Sequence, residues 1–138
     1  MRLIGFSLNK IHVDKSLKKF ENVNINTKID ILSIEEAKSE FFKFKEEAIV
    51  VNFSFIITYE PELANIELAG SLILAVDSKI SREVLKSWKE KKLPDDFRIV
   101  LFNLILKKST LKALQLEEEL NLPAHIPFPT FKKQEKED

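Results

Sequence analysis

The sequence contains no cysteine, which excludes disulfides, thiolate metal sites and cysteine nucleophiles and suits a reducing compartment. Glycine is nearly absent as well, with 2 residues in 138, so no glycine-rich loop can cradle a phosphate. Arginine is confined to Arg2, Arg82 and Arg98, and the 22 basic residues are balanced by 22 acidic ones. A neutral chain poor in guanidinium groups draws no polyanion at long range and lacks the usual base-reading side chain, so no nucleic-acid partner is expected. No apolar run reaches the ~18–20 residues that cross a bilayer, and the opening residues lack the apolar block of a signal peptide. The expected location is cytoplasmic, with no membrane insertion.

What is present is globular. Hydrophobic residues make up 44% and charged residues 32%, enough to bury a core in a chain of this length. One α+β domain is expected over residues 1–131, followed by a disordered charged tail, 132–138. The first strand runs from Arg2 to about Val13, with a change of apolar parity near Asn9 and Lys10 that marks a β-bulge. Val23, Ile25, Ile29 and Ile31 alternate with polar residues as a half-buried strand. Ile34 to Glu47 is ambiguous; a turn of helix at Glu35–Ala37 followed by a strand start is the expected solution. Ile49 to Tyr59 and Ile66 to Val76 are two long alternating runs joined around Pro61, the pattern of an antiparallel pair. Gly70, in mid-strand, marks a bulge or a close backbone approach.

Two helices follow. Asp77 or Ser78 caps the first, whose stripe is Ile80, Val84, Leu85 and Trp88, ending near Lys92. Asp95 and Asp96 open the second, which carries Phe97, Val100, Leu101, Leu104 and Ile105 at helical spacing. Phe102 and Leu106 predict burial on a second side as well. Ser109–Thr110 offers an interruption, and Glu117–Glu119 reads as a solvated stretch. The prolines at 123, 127 and 129 then force an extended arm bearing Ile126, Phe128 and Phe131.

No residue pattern in the chain points to chemistry. His12 and His125 lack metal-ligand or acid–base spacing and read as structural or exposed; neighbouring acids read as helix starts or solvated faces. No serine sits in a nucleophile elbow, and no catalytic residue, cofactor site or metal site is assigned. The lysines around Trp88 read as the solvated side of an amphipathic helix. The apolar arm has two readings, a cover over its own core or an apolar groove edge or subunit contact. A non-enzymatic binding protein is the expected class.

The order of elements adds a resemblance. The opening strand, the strand Asn22–Asp30, the long strand Val50–Tyr59, the strand Asn65–Val76 with its inner Gly70, and the close Leu122-Pro123-Ala124-His125-Ile126-Pro127-Phe128 together resemble the SecB family of export chaperones and the related SecB-like chaperones of toxin–antitoxin systems. The resemblance spans nearly the whole chain. It implies a four-stranded antiparallel sheet with two or three helices on one face. It also implies a homo-oligomer, dimer or tetramer, with apolar grooves that hold unfolded or non-native polypeptides. Family members continue past the arm into a further helix that lines the groove, so a shallower groove is expected here, and no acidic docking surface for an export motor is matched. Exposed-apolar reasoning nominates Trp88, Ile126, Phe128 and Phe131 as polypeptide-binding residues, with Phe41, Phe42 and Phe44 as a second set. The alternative is a scaffold or assembly protein that binds one fixed partner or itself.

Overall fold

The computed structural model describes residues 1–37 and 46–134. Among them, four strands form one antiparallel sheet: β1 (Arg2–Lys15), β2 (Asn24–Ala37), β3 (Glu46–Glu60) and β4 (Ala64–Asp77). Two helices complete the order, α1 (Ser78–Trp88) and α2 (Asp95–Glu119). In space the strands run β1-β4-β3-β2. The expected α+β class, with helices packed on one face of a four-stranded antiparallel sheet, is what the chain adopts.

β3 and β4 lie in the centre because they bury one face completely. Ile49, Val51, Phe53, Phe55, Ile57 and Tyr59 are each 0% exposed. Each such side chain contributes on the order of 1.5–3 kcal/mol relative to leaving it in water. Ile66, Leu68, Leu72 and Leu74 of β4 complete the layer. The parity change in β1 is a register shift between Leu8 and Lys10, as expected, and a second shift lies between Leu3 and Gly5. Gly70 explains the first: a Cβ built there would stand 2.1 Å from the Ser7 carbonyl oxygen. The glycine lets β1 press directly onto β4.

Several expectations are corrected. Glu35–Ala37 is strand rather than helix, because pairing with Val50, Ile49 and Ala48 of β3 overrides local helix propensity. Phe41, Phe42 and Phe44 lie outside the described residues. α1 ends at Trp88, four residues early. α2 is continuous through Ser109–Thr110 over 25 residues, with Pro94 at its N-cap and Asp95 and Asp96 in its first turn. Burial of the first stripe is incomplete and that of the second side partial. Phe97, Leu101 and Ile105 reach the core and Leu104 packs against it, whereas Val100 of the same stripe is 44% exposed. On the second side Phe102 is half-buried and Leu106 42% exposed, since only one side of the helix meets the sheet. Asp77 is the α1 cap, accepting from the Ile80 N–H at 2.9 Å.

Candidate functional site

The end of α1 creates a groove. Lys91 adopts φ 59°, in the left-handed region. Its N–H donates to the Trp88 carbonyl at 2.8 Å, and the Lys92 N–H donates to that of Ser87 at 3.2 Å, closing the helix with a Schellman-type turn. That reversal holds the Trp88 ring at the helix end, half-buried, with the Lys91 ammonium 4.6 Å above its centroid. Facing it are Ile29 and Ile31 of β2, Leu93, and Phe102 on the flank of α2, around an open groove of about 640 Å³. Its rim carries Lys91, Lys92 and Arg98 against Asp30 and Asp95. β2 is an edge strand, bonded only to β3 among the described residues. The groove therefore runs beside a row of backbone groups open to pairing, with Leu32 in a bulge and 56% exposed along that edge.

At the other end of α2 the chain is locked down. Asn121 takes φ 53°, and the Leu122 N–H donates to the Glu117 carbonyl at 2.8 Å, a second Schellman-type turn. The turn buries Leu122 and folds Pro123–His125 back over the end of α2. There the Glu117 carboxylate, 2% exposed, accepts from the Tyr59 hydroxyl, from the His125 backbone N–H at 2.9 Å and from His125 Nδ1 at 2.8 Å. The Pro123 carbonyl lies 2.9 Å from the same hydroxyl. The His125 ring meets Phe55 edge-on at a centroid distance of 6.1 Å. Burial, reinforced by the hydrogen bond to Glu117 and its charge, pushes the Tyr59 hydroxyl far above its usual pKa, so it remains a donor throughout the physiological range.

This cluster corrects the reading of Glu117 as solvated. It also brings a carboxylate onto His125, as catalysis would require, but Tyr59, Glu117 and the His125 side chain are each at most 2% exposed. No substrate reaches them in this conformation, and their geometry is that of a latch between α2, β3 and the start of the arm. Beyond the latch the arm leaves the core. Ile126 is 38%, Phe128 59% and Phe131 108% exposed, so the arm does not cover its own core. Trp88 and the three arm residues are thus not gathered into one site. Trp88 belongs to the groove, whereas Ile126, Phe128 and Phe131 stand free near the opposite end of α2. His12 lies on the surface, hydrogen-bonded to Asp14 at 2.7 Å. Sequence reasoning missed Phe102, Leu93 and the β2 isoleucines as groove residues, since each reads singly as core. Among the described residues, no three His, Asp or Glu side chains gather into a metal-sized cluster. No helix of the described residues is long and apolar enough to cross a membrane.

No protein-family model matches the chain, and neither does any curated protein sequence. Among solved structures the fold is similar to that of the SecB-like chaperone Rv1957 of Mycobacterium tuberculosis, determined in complex with a ChAD peptide from the antitoxin HigA1. The two share a TM-score of 0.52 at 12% sequence identity, over 97% of this chain and 92% of that one, a likeness of fold.

Proposed function

We propose that this chain is a SecB-like polypeptide-binding chaperone that holds non-native segments in the Trp88 groove. The observation that carries the reading is an open apolar groove, floored by Trp88, Phe102, Ile29 and Ile31, beside the edge of β2 that pairs with no strand among the described residues. An extended client segment would lay alternate apolar side chains into the groove and add main-chain hydrogen bonds at the edge. Each ~100 Å² of apolar surface covered is worth about 2.5 kcal/mol before ordering costs. Backbone pairing is indifferent to sequence, so breadth of clients follows. The similarity in fold to a chaperone whose structure is in complex with a peptide supports the same reading. No role in the chemistry of a substrate is assigned to any residue.

The chain's single tryptophan is a built-in reporter. Titration with an unfolded, reduced model protein is expected to shift and quench Trp88 emission. The same concentrations are expected to suppress aggregation of several unrelated unfolded proteins at near-stoichiometric ratio, and Phe102→Asp is expected to lose both effects. Protection of none of them would defeat the reading.

A second reading, a scaffold that associates with itself or with one fixed partner, draws on α2. Its outer side exposes Ile99 (57%) and Leu106 (42%), two turns apart on one face that an antiparallel copy of the same helix would cover. The two readings are compatible in a homo-oligomer, and light scattering of the purified chain decides whether that assembly forms.

A further inference from the structure

We propose that the arm of one copy, Ile126 to Lys133, seats in a second groove at the α1–α2 end of another copy. This rests on the self-association reading above and goes beyond it by naming the segment exchanged and its receptor. The arm is a ligand in search of a site. Phe131 is wholly exposed and Phe128 more than half so, on a segment stiffened by Pro127 and Pro129 and followed at once by Lys132 and Lys133. The receptor is a groove of about 680 Å³ on the side of α1 and α2 that faces Met1, distinct from the Trp88 groove. Its apolar floor includes Ile80, Val84, Phe97 and Val100; its rim carries the Glu83, Asp95 and Asp96 carboxylates, and Met1, with its ammonium group, also lines it. Asp95 is partly engaged by Arg98 at 3.2 Å, leaving Glu83 and Asp96 to meet the two lysines. Phenylalanines followed by a pair of ammonium groups complement an apolar floor with a carboxylate rim.

Reach favours exchange over folding back. About 25 Å of helical rise separates Val100 from Glu117. The arm from Pro123 to Phe131 spans about 25 Å when stretched as polyproline II. It starts beside Phe55 and Tyr59 of β3, towards the β2 side of the sheet, whereas Met1 marks the β1 side. A chain's own arm would have to run straight along α2 and then cross it, with no length left for crossing. In a two-fold pair with antiparallel α2 helices, the arm root of each copy lies beside the groove of the other, and both exchanges form at once.

The test uses a fluorescein-labelled peptide of residues 126–133 and the full chain carrying Phe128→Ser and Phe131→Ser. Both substitutions fall on exposed side chains, so the folded core is retained and the resident arm no longer competes. The expected result is saturable binding, weakened tenfold or more by Glu83→Lys, less by Glu83→Gln, and progressively by salt. Light scattering is expected to show the two arm substitutions shifting the assembly towards monomer at concentrations where the unaltered chain is associated. An associated chain whose mass ignores the arm substitutions, and whose groove ignores the peptide, overturns arm exchange while leaving self-association standing. Peptide binding that shifts Trp88 emission and is indifferent to Glu83→Lys assigns the peptide to the other groove and also overturns it. A monomeric unaltered chain overturns both.

Discussion

Replacing Tyr59 with phenylalanine removes one oxygen from the latch and leaves no cavity, since the ring is retained. The lost bond is from a buried hydroxyl to a carboxylate that is 2% exposed. Hydrogen bonds to charged groups contribute about 1.5–3 kcal/mol, and Glu117 keeps its two donors from His125, so the loss should fall within that range. Against a total stability of about 5–15 kcal/mol it is readily measured. The assay is urea denaturation followed by Trp88 emission, with the dependence on denaturant unchanged between the two chains. The pH dependence supplies a stricter condition. The folded chain holds the Tyr59 proton well above 10, the value at which the unfolded chain releases it. That contribution is complete below pH 10 and is lost as the pH rises beyond it towards the folded value. The lysines are common to both chains and cancel in the difference. The stability gap between the parent and Tyr59→Phe should therefore narrow by about 1.4 kcal/mol between roughly pH 8 and pH 11. Because Tyr59 is the only tyrosine, the tyrosinate absorbance band reports its ionisation directly. A gap under about 0.5 kcal/mol at pH 8, or a folded chain whose tyrosine ionises at the ordinary value, would refute the latch.

Two further perturbations test how the frame holds the site. Gly70→Ala drives a Cβ into the Ser7 carbonyl, and the nearest atoms are all rigid backbone of β1. It should cost about 2–4 kcal/mol, seen as an earlier urea midpoint and faster amide exchange in β1, with slow exchange retained in β2. Asp77→Ala removes the side-chain acceptor for the Ile80 N–H and should cost about 1 kcal/mol, with Asp77→Asn recovering most of it.

The fold was legible where burial is one-sided and continuous. β3 and β4 are flanked by strands on both edges and by helices on one face, so a strict period of two was the only pattern available to them. Gly70 stood out because a glycine inside such a run has nothing else to do. Glu35–Ala37 misled because strong helix formers were placed on an edge strand, where the β3 ladder outweighs propensity. Glu117 misled because it opens a run of three glutamates. A signal was nevertheless present: Phe97, Leu101, Ile105, Ser109 and Ala113 recur every fourth residue, all buried, and the next member of that series is Glu117. Its partners come from β3 and the arm, far apart in sequence, and no local pattern announces them. The Trp88 groove was half legible for the same reason. Trp88 was nominated, but the concavity needs Ile29 and Phe102, which look like core residues until the sheet is assembled.

The two grooves flank one turn, and their rims differ in charge. Lys91, Lys92 and Arg98 give the Trp88 groove a slight positive excess over Asp30 and Asp95, while Glu83, Asp95 and Asp96 make the other wholly acidic in its side chains. Lys132 and Lys133 thus meet like charge at the first rim and opposite charge at the second, a contact preference only, since Glu135, Lys136, Glu137 and Asp138 leave residues 132–138 neutral as a whole. On the two proposals above, client binding and arm exchange use different grooves and need not compete. The latch matters to this division. By fixing Pro123–His125 against Tyr59 and Glu117, it sets the point and direction at which Ile126 leaves the core. Loosening the latch with Tyr59→Phe should thus weaken assembly more than it weakens the Trp88 emission response to an unfolded client, a separation that a general loss of folding would not produce.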